Sequence, residues 1–339
     1  NFAWSDHYKR TLEATGDYEV EEIITNVPWL QKAWARENGV SYPSQHWRSA
    51  ILHKQIEAFR PNLLFLHDIF STTPEQRRQL RKDVPEIQLV FGWDGTAINS
   101  AARYAGYDLI LSCLQSVVEH YRQAGFHAEH LPFAFYPPIL DKLDRRPPRY
   151  ELTFAGTMLA GNAWHRERIE LLYRLSKEVD VNFWITPVPR NKLIPIKPFQ
   201  FKNSQNPNEL RKLWRLGKLS KGSVFGLDFF QLMADSRIVI NQHINIAGNE
   251  VANSRMFEAT GVGTCLLTDW KDNLSDFFEP EKEVAAYRSV EECVEKAKYL
   301  LAHEDERQAI AQAGQARTLK DHSFQARMER LRDILEGLL

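Results

Sequence analysis

Short apolar runs alternate with amphipathic stretches in the first half of the chain. Apolar runs bounded by turn residues are typical of buried strands, whereas apolar positions that recur every three or four residues are typical of helices. The pattern predicts strands at 62–68, 87–95, 107–113 and 128–135 and helices at 6–15, 44–59, 73–83 and 116–125. Strands and helices that alternate at these lengths indicate an α/β domain built on a parallel sheet.

A second α/β half follows residues 136–150, which contain two Pro-Pro pairs and are predicted to form a linker. We therefore expect a first domain at 1–145 and a second at 150–320, followed by a helical segment at 321–339. Residues 187–222 are predicted to be irregular and basic. Elsewhere in this half, the pattern predicts strands at 151–156, 181–186, 237–243 and 264–269 and helices at 164–178, 228–236, 253–263, 289–303, 305–320 and 323–338.

Charge and cysteine content argue against several classes of protein. The 339 residues include 43 Lys+Arg and 44 Asp+Glu, a formal net charge of −1, which argues against a general nucleic-acid-binding protein. The three cysteines lie far apart, as expected in a reducing compartment, and no apolar stretch is long enough to span a membrane. Because the chain opens with Asn1 rather than Met, we expect it to be part of a larger protein. We predict a cytoplasmic location, with peripheral contact at the inner face of a membrane.

The most informative local feature is the sequence GNEVANSRMFEATGVGT, residues 248–264, between two predicted strands. Open α/β sheets bind their ligands at such positions, at the carboxyl ends of the strands. Gly248 suits a tight turn, and Asn253 or Ser254 suits the N-cap of the following helix. The amides of a helix N-terminus, with the guanidinium group of Arg255 in the first turn, favour a phosphate or diphosphate ligand.

Two carboxylates flank this turn. Glu250 precedes the predicted helix, and Glu258 lies inside it, eight residues later. Placed on either side of a bound phosphate, they could hold hydroxyl groups of the ligand. A simpler interpretation, in which Glu258 caps the helix or forms an ion pair on its solvated face, stays open from spacing alone.

Residues 253–278 and 283–327 resemble the C-terminal domain of GT-B glycosyltransferases, and more narrowly the CgeB-like group of the glycosyltransferase 1/4 superfamily. The matching pattern is R-x-F-E at 255–258, then G-T, an apolar pair and T-D at 263–269, and a closing D-H-x4-R. The resemblance implies an α/β fold of the GT-B class, with two Rossmann-like domains whose parallel sheets face across a cleft. It implies a nucleotide-sugar donor held mainly by the C-terminal domain, and a segment at 321–339 that returns to the N-terminal domain.

The resemblance also assigns roles to the two glutamates. Retaining members carry two glutamates with seven residues between them, and Glu250 and Glu258 match that spacing. By this likeness Glu250 would hold the donor sugar and Glu258 the nucleoside ribose. The intervening residues are not the Gly-rich run of the best-known retaining members, whereas Arg255 matches an arginine common in the CgeB-like group.

Strand ends and the basic stretch supply the remaining candidates. His243 ends a predicted strand and is a candidate catalytic residue, and Asp94 in the first half is a candidate general base. Gly156 and Arg168, near the start of the second half, and Lys221, in the basic stretch, are candidates for donor binding. The structural alternatives are a buried core histidine for His243, an ordinary helix face for Arg168 and a solvated lysine for Lys221.

These features favour a glycosyltransferase that moves a sugar from a nucleotide-diphosphate sugar to a hydroxyl acceptor. We expect a bacterial surface glycan or glycolipid as acceptor, retention of the anomeric configuration, and no metal ion or cofactor. Fixed cations can stabilise the negative charge that grows on a leaving phosphate, so the chemistry needs no metal. Two alternatives stay open: a non-catalytic GT-B module of a larger protein, and an epimerase or phosphorylase on the same fold.

Overall fold

The structure is a computed structural model that describes residues 6–95, 101–158, 165–186, 206–244 and 248–339. Its contacts divide the chain into two compact units. One contains residues 6–132 together with 328–339, and the other contains residues 133–327. In the described part of the chain, no helix is long and apolar enough to cross a membrane.

The first unit is built on a four-stranded parallel sheet in the order β1-β2-β3-β4. Three α-helices precede its first strand, one lies between the first and second strands and one between the third and fourth, while a 3-10 helix lies between the second and third. The strands are β1 (Leu63–Leu66), β2 (Leu89–Trp93), β3 (Leu109–Ser112) and β4 (Ala128–His130), and the helices are α1 (His7–Glu13), α2 (Pro28–Glu37), α3 (Trp47–Phe59), α4 (Pro74–Asp83) and α5 (Gln115–Gln123).

Local sequence explains where these helices begin and end. The Thr73 hydroxyl accepts a hydrogen bond from the backbone N–H of Gln76, whose side chain accepts from the backbone N–H of Thr73, so α4 begins with a capping box. Pro74 occupies the first turn, where a missing N–H costs nothing. After α5, Gly125 has a φ of +84°, a conformation that glycine adopts without strain. These boundaries are close to the predicted ones.

The second unit contains a five-stranded parallel sheet in the order β6-β5-β7-β8-β9. Its strands are β5 (Tyr150–Thr157), β6 (Val181–Thr186), β7 (Ser236–Asn241), β8 (Cys265–Asp269) and β9 (Ala285–Tyr287). Its helices are α6 (Arg166–Glu178), α7 (Pro207–Leu219), α8 (Leu227–Ala234), α9 (Arg255–Gly261), α10 (Val290–Ala302) and α11 (Glu304–Asp321), and α12 (Phe324–Glu336) begins in this unit and ends in the other.

Both faces of this sheet are buried. Ile238 and Ile240 of β7 pack into a cluster with apolar residues of α6, α7 and α10. Between them, Val239 points to the opposite face and packs with residues of α8 and α9. Burial on both faces accounts for the near-continuous apolar sequence of these strands and is typical of parallel sheets.

Two parallel sheets flanked by helices confirm the predicted α/β fold class, and two local predictions are wrong. The strand predicted at 128–135 has only three residues, β4, because the chain leaves the sheet after His130. Of the stretch 187–222, predicted to be irregular, residues 207–219 form α7, which Asn206 caps, while residues 187–205 lie outside the described residues. The predicted linker 136–150 contains a 3-10 helix at Pro137–Lys142 with Ile139 buried.

Candidate functional site

The carboxyl ends of β5, β7 and β8 meet at one edge of the second sheet, where the sequence predicted a ligand site. The register pairs Thr153 of β5 with Val239 of β7, and Asn241 of β7 with Thr268 of β8. Because all these strands are parallel, the residues that follow them gather at the same edge. This edge carries Gly156, His243 and Asp269 directly.

Two arginines bind to backbone carbonyl groups at this edge. Arg255, the first residue of α9, donates from Nη1 to the carbonyl oxygen of Ala155. Arg168 of α6 donates from Nη1 to the carbonyl oxygen of Thr157 at 3.0 Å, and from Nη2 to that of Gln242. Helices from different parts of the sequence thus bring two guanidinium groups to the ends of β5 and β7.

The two arginines raise the positive potential at the edge. Burial, and next the charge of Arg255, lower the pKa of Arg168 to about 10. A like charge close by destabilises the charged form, and the carboxylate of Asp269 opposes this effect only in part. An anion placed between the two guanidinium groups would relieve their repulsion.

Glu258 pairs with Arg255 inside the protein. The carboxylate of Glu258 is buried and accepts a hydrogen bond from Arg255 Nε at 3.2 Å. The Arg255 guanidinium also stacks on the Phe229 ring, 4.5 Å from its centroid. Of the simpler interpretation, the ion pair of Glu258 is present, with Arg255, but the solvated setting is wrong, since the side chain is buried.

A buried histidine–aspartate pair lies next to the arginines. The side chain of His243 is 1% exposed, and its Nδ1 lies 2.7 Å from Oδ1 of Asp269. Lys271 lies 3.4 Å from the other carboxylate oxygen and donates to the carbonyl oxygen of Gly248 at 3.3 Å. Burial pushes the pKa of Asp269 upward, but the charge and hydrogen bonds of His243 and the charge of Lys271 outweigh it and hold that pKa below its usual value. Asp269 is therefore ionised at neutral pH.

Several buried polar atoms at this edge lack a hydrogen-bond partner among the described residues. Buried polar atoms are usually paired in folded proteins, so a cluster of polar atoms left available for hydrogen bonds is typical of a site that binds a polar ligand. They are Nδ1 of His165, Nε of Arg168, Oε1 of Gln242, Nε2 of His243 and Oδ1 of Asn253.

The turn and helix after β7 have the predicted conformations with one difference. Gly248 adopts a φ of +59°, as a tight turn requires, and Glu250 lies half-buried two residues later. Ser254 is the N-cap of α9, but its side chain makes no capping hydrogen bond, and Asn253 donates instead to Oδ1 of Asn241 at 2.9 Å. Since α9 has only seven residues, the arginines supply most of the positive potential here.

Lys221 lies away from this group. Its ammonium group donates to Oδ1 of Asn182 at 2.5 Å and lies 4.7 Å from the ring centroid of Tyr150 and 5.0 Å from that of Trp184. Tyr150 and Asn182 belong to the amino-terminal halves of β5 and β6. The structure therefore places Lys221 near the opposite end of the strands from Arg168 and Arg255.

Asp94 lies in the first unit, at the end of β2. Its carboxylate is buried and accepts hydrogen bonds from the hydroxyl groups of Tyr104 at 3.0 Å and Tyr121 at 2.5 Å. Burial, followed by the hydrogen bond to Asp94, raises the pKa of Tyr121, so this hydroxyl stays protonated. These contacts tie β2 to α5 and occupy the carboxylate that was predicted to be a general base.

The first unit also holds the one group of metal-ligand type among the described residues. Nε2 of His53 lies 3.1 Å from Oε1 of Glu57 and 2.8 Å from Oδ2 of Asp83, and these ligand atoms all lie within 4.8 Å of one another. Lys54 pairs with Glu57, and Gln79 donates to Asp83. An imidazole ring held between two carboxylates explains this geometry without an ion.

Sequence reasoning missed Asp269 and Lys271. Asp269 is the last residue of β8 and Lys271 comes two positions later, in the sequence TDWK, so a carboxylate at a strand end was available as a signal. The sequence pattern did not indicate that Asp269 contacts His243. The two residues lie at the ends of different strands and are brought together only by the pairing of β7 with β8.

A family model described as glycosyl transferase-like matches residues 138–333. The chain belongs to this glycosyl transferase-like family. The matched region spans more than half of the chain and contains every residue placed at the edge described above. Among curated protein sequences, none matches this chain.

Solved structures resemble the whole chain at low sequence identity. HepE from Anabaena, solved with UDP-glucose, has a TM-score of 0.61 and 11% identity over 90% of this chain and 88% of its own. Sucrose-phosphate synthase from Thermosynechococcus elongatus has a TM-score of 0.57 and 10% identity over 88% and 80%. A UDP-forming α,α-trehalose-phosphate synthase from Burkholderia xenovorans has a TM-score of 0.55 and 13% identity over 98% and 86%. The fold is therefore the GT-B fold, as predicted.

Proposed function

We propose that this protein transfers a sugar from a nucleotide-diphosphate sugar to a hydroxyl group. One observation supports this most strongly: two guanidinium groups lie at the carboxyl edge of the second sheet, with five buried polar atoms that have no hydrogen-bond partner among the described residues. A diphosphate with attached sugar and nucleoside offers the anionic and hydroxyl groups that such a set would bind. We also propose that residues 1–145 form the acceptor-side domain, that residues 150–320 form the donor-binding domain, and that residues 321–339 return to the first domain.

The arginines would act on the leaving group. As the glycosidic bond breaks, negative charge grows on the leaving diphosphate, and fixed cations aimed at it stabilise the transition state more than the ground state. Nη2 of Arg255 and Nε of Arg168 make no hydrogen bond to described residues and are the donors that we assign to the phosphates. The cations present supply this stabilisation, so we propose that transfer requires no metal ion.

We assign the two glutamates and His243 to the rest of the donor. Glu258, fixed by Arg255, would accept from ribose hydroxyl groups, and Glu250, in the turn after Gly248, would hold the sugar. The Asp269 carboxylate fixes the ring of His243 and leaves Nε2 for the donor. The spacing of the glutamates supports retention of configuration.

The nucleotide of the donor and the class of the acceptor can also be proposed. We choose UDP as the first nucleotide to test, because the structure of HepE contains UDP-glucose. A bacterial surface glycan or glycolipid is the proposed acceptor, reached on the cytoplasmic side of the membrane, and we place the protein in the CgeB-like group.

Thermal unfolding with and without nucleotides tests the proposal. At about one hundred times its Kd, a ligand adds about 2.7 kcal/mol to stability, which raises Tm by about 5–10 °C for a domain of this size. We expect UDP, among UDP, GDP, TDP, ADP and CMP, to produce such a shift without magnesium. No shift with any nucleotide would favour the non-catalytic module instead.

Substitutions of residues at this edge test the proposed roles one by one. Arg255→Ala should lower kcat more than donor affinity, because the charge that it stabilises develops in the transition state. Glu258→Gln should weaken UDP affinity about tenfold, the loss of one hydrogen bond to a charged group. Arg174→Ala removes a half-exposed arginine from α6 and serves as control. Full turnover by both edge variants would contradict this site, and product formation from the donor alone would indicate an epimerase.

A further inference from the structure

Helix α7 carries a cationic surface with an exposed tryptophan at its edge. Leu213 and Leu216 of α7 are buried against the second unit. The opposite side presents Arg211, Trp214, Arg215 and Lys218, at the three- and four-residue spacing that places residues on one helix face. Lys177, exposed on the adjacent helix α6, extends this set. We call these five residues the basic face.

The cations of the basic face have no carboxylate partner among the described residues. Arg215 donates to the hydroxyl and carbonyl oxygens of Ser176, and Lys218 lies 3.6 Å from the ring centroid of Trp214. The neighbouring Lys212 differs, because it pairs with Glu170 of α6, while Glu178, at the end of α6, pairs with Arg174 and Lys298. Positive charge on this face is therefore left uncompensated.

The same cations act on a nearby tyrosine, Tyr173. A hydrogen bond from Lys177, and in addition the charges of Arg211 and Arg215, hold the pKa of Tyr173 below its usual value. Nearby cations favour the phenolate form, so this direction agrees with the positive charge that the helix face carries. The surface thus attracts anions in a molecule whose formal net charge is −1.

Exposed apolar side chains accompany the cations. Trp214 is 44% exposed, and Leu219, at the end of α7, is 43% exposed. Phe225, six residues further along the chain, is 62% exposed. A polyanion such as a nucleic acid or acidic glycan needs only the cations, whereas a lipid surface takes up both cations and apolar side chains at its interface.

We propose that the basic face docks this protein on an anionic lipid surface. The arginines and lysines would contact lipid phosphates, and Trp214 and Leu219 would enter the boundary between headgroups and acyl chains. This inference rests on the surface of α6 and α7 and is independent of the donor site at the carboxyl edge.

Vesicle sedimentation of the full chain tests the inference. We expect binding to vesicles of phosphatidylcholine mixed with phosphatidylglycerol, little binding to phosphatidylcholine alone, and weaker binding as salt concentration rises. Each cation near such a surface contributes about fivefold in affinity, so the double variant Arg211→Ala/Lys218→Ala should lose about 25-fold. Trp214→Ala should also reduce binding.

Matched variants provide the controls. Arg78→Ala/Lys82→Ala removes two exposed cations from α4 and should leave vesicle affinity unchanged, as should Trp29→Ala, which removes a tryptophan that is 75% exposed. Circular dichroism and UDP affinity verify that each variant is folded, and they separate this inference from the proposed function. Equal loss in the control pair, equal binding to both vesicle types, or binding to heparin in place of vesicles would overturn the inference.

Discussion

Asp269 holds together three cationic or ionisable groups in a buried setting. It accepts from the ring and the backbone N–H of His243, lies 3.4 Å from Lys271 and contributes favourably to the charged form of Arg168. Removing a buried carboxylate leaves its cationic partners desolvated without compensation, which is costly even where the intact pair adds little stability. One carboxylate thus helps to balance the charge of Lys271, Arg168 and His243, while Glu258 pairs with Arg255.

We expect Asp269→Asn to lower the free energy of unfolding by about 3 kcal/mol, the penalty for stranding a buried charge. Urea unfolding followed by circular dichroism measures this loss. Glu291→Gln removes an exposed carboxylate that pairs with Arg174, and it should change stability by less than about 0.5 kcal/mol. A loss of the same small size for both variants would show that Asp269 does not balance these cations.

For single residues, the sequence predicted the positions of those at strand ends better than the position of a residue that follows a helix. His243 and Gly156 were placed correctly at the edge because parallel strands bring their carboxyl ends together. Lys221 follows α7, and nothing in the sequence determines that its side chain extends to Asn182. The partners of Asp94 could not be inferred either, since Tyr104 and Tyr121 reach it from separate elements.

Helix α11 packs against the chain segment before β9 through a glycine. A Cβ atom added to Gly314 would lie 2.3 Å from the carbonyl oxygen of Glu283 and 3.3 Å from Cγ2 of Thr260. A backbone oxygen cannot move aside without displacing its own segment. Glycine at this position therefore sets how closely α11 approaches its neighbours.

Gly314→Ala should therefore destabilise the protein by about 1–3 kcal/mol, the usual cost of overpacking. Gly337→Ala is the matched control, because its added Cβ would meet atoms no closer than 3.5 Å, and it should change stability by less than about 0.5 kcal/mol. Tm and urea midpoints of both variants measure the difference. A stable Gly314→Ala protein would mean that α11 can shift away from Glu283.

The elements that the sequence missed are those whose patterns are short or mixed with charge. Leu210, Leu213 and Leu216 give α7 an apolar period of three, but the cations between them made the stretch resemble an irregular basic segment. Strand β9 has only three residues and pairs with β8 alone, so its identity depends on the sheet beside it. Longer strands with uniform apolar character were predicted within a few residues.

Stability of the whole molecule should depend on pH through buried histidines. Burial, the largest influence, lowers the pKa of His322 to about 4, although Asp321 and a hydrogen bond to the carbonyl oxygen of Phe277 oppose it and Arg317 and Arg327 reinforce it. Burial, and then the charge of Arg168, lower the pKa of His165 to about 4 as well. Both side chains are therefore neutral in the folded protein above that pH.

The unfolded chain takes up protons on these histidines as the pH falls below their ordinary value of 6.5, whereas the folded protein resists until about pH 4. Stability should fall across this window by up to about 3 kcal/mol for His322 and by less for His165, whose charge solvent screens more strongly. Urea unfolding at the two ends of the window should show a smaller decrease for His322→Gln than for the original protein. His303→Gln changes an exposed histidine and serves as control. The same decrease in the free energy of unfolding between the two pH values in all three proteins would refute the prediction.

The first unit is completed by a distant part of the sequence. Residues 328–339 belong with residues 6–132, and Met328, Leu331 and Leu335 of this segment are almost fully buried. Since a ribosome synthesises the chain in order, residues 133–327 must be made before those side chains exist. At usual elongation rates this interval lasts on the order of 10 to 40 s. During this interval the apolar surface that these side chains later cover is exposed to solvent. The nascent chain is therefore expected to bind chaperones.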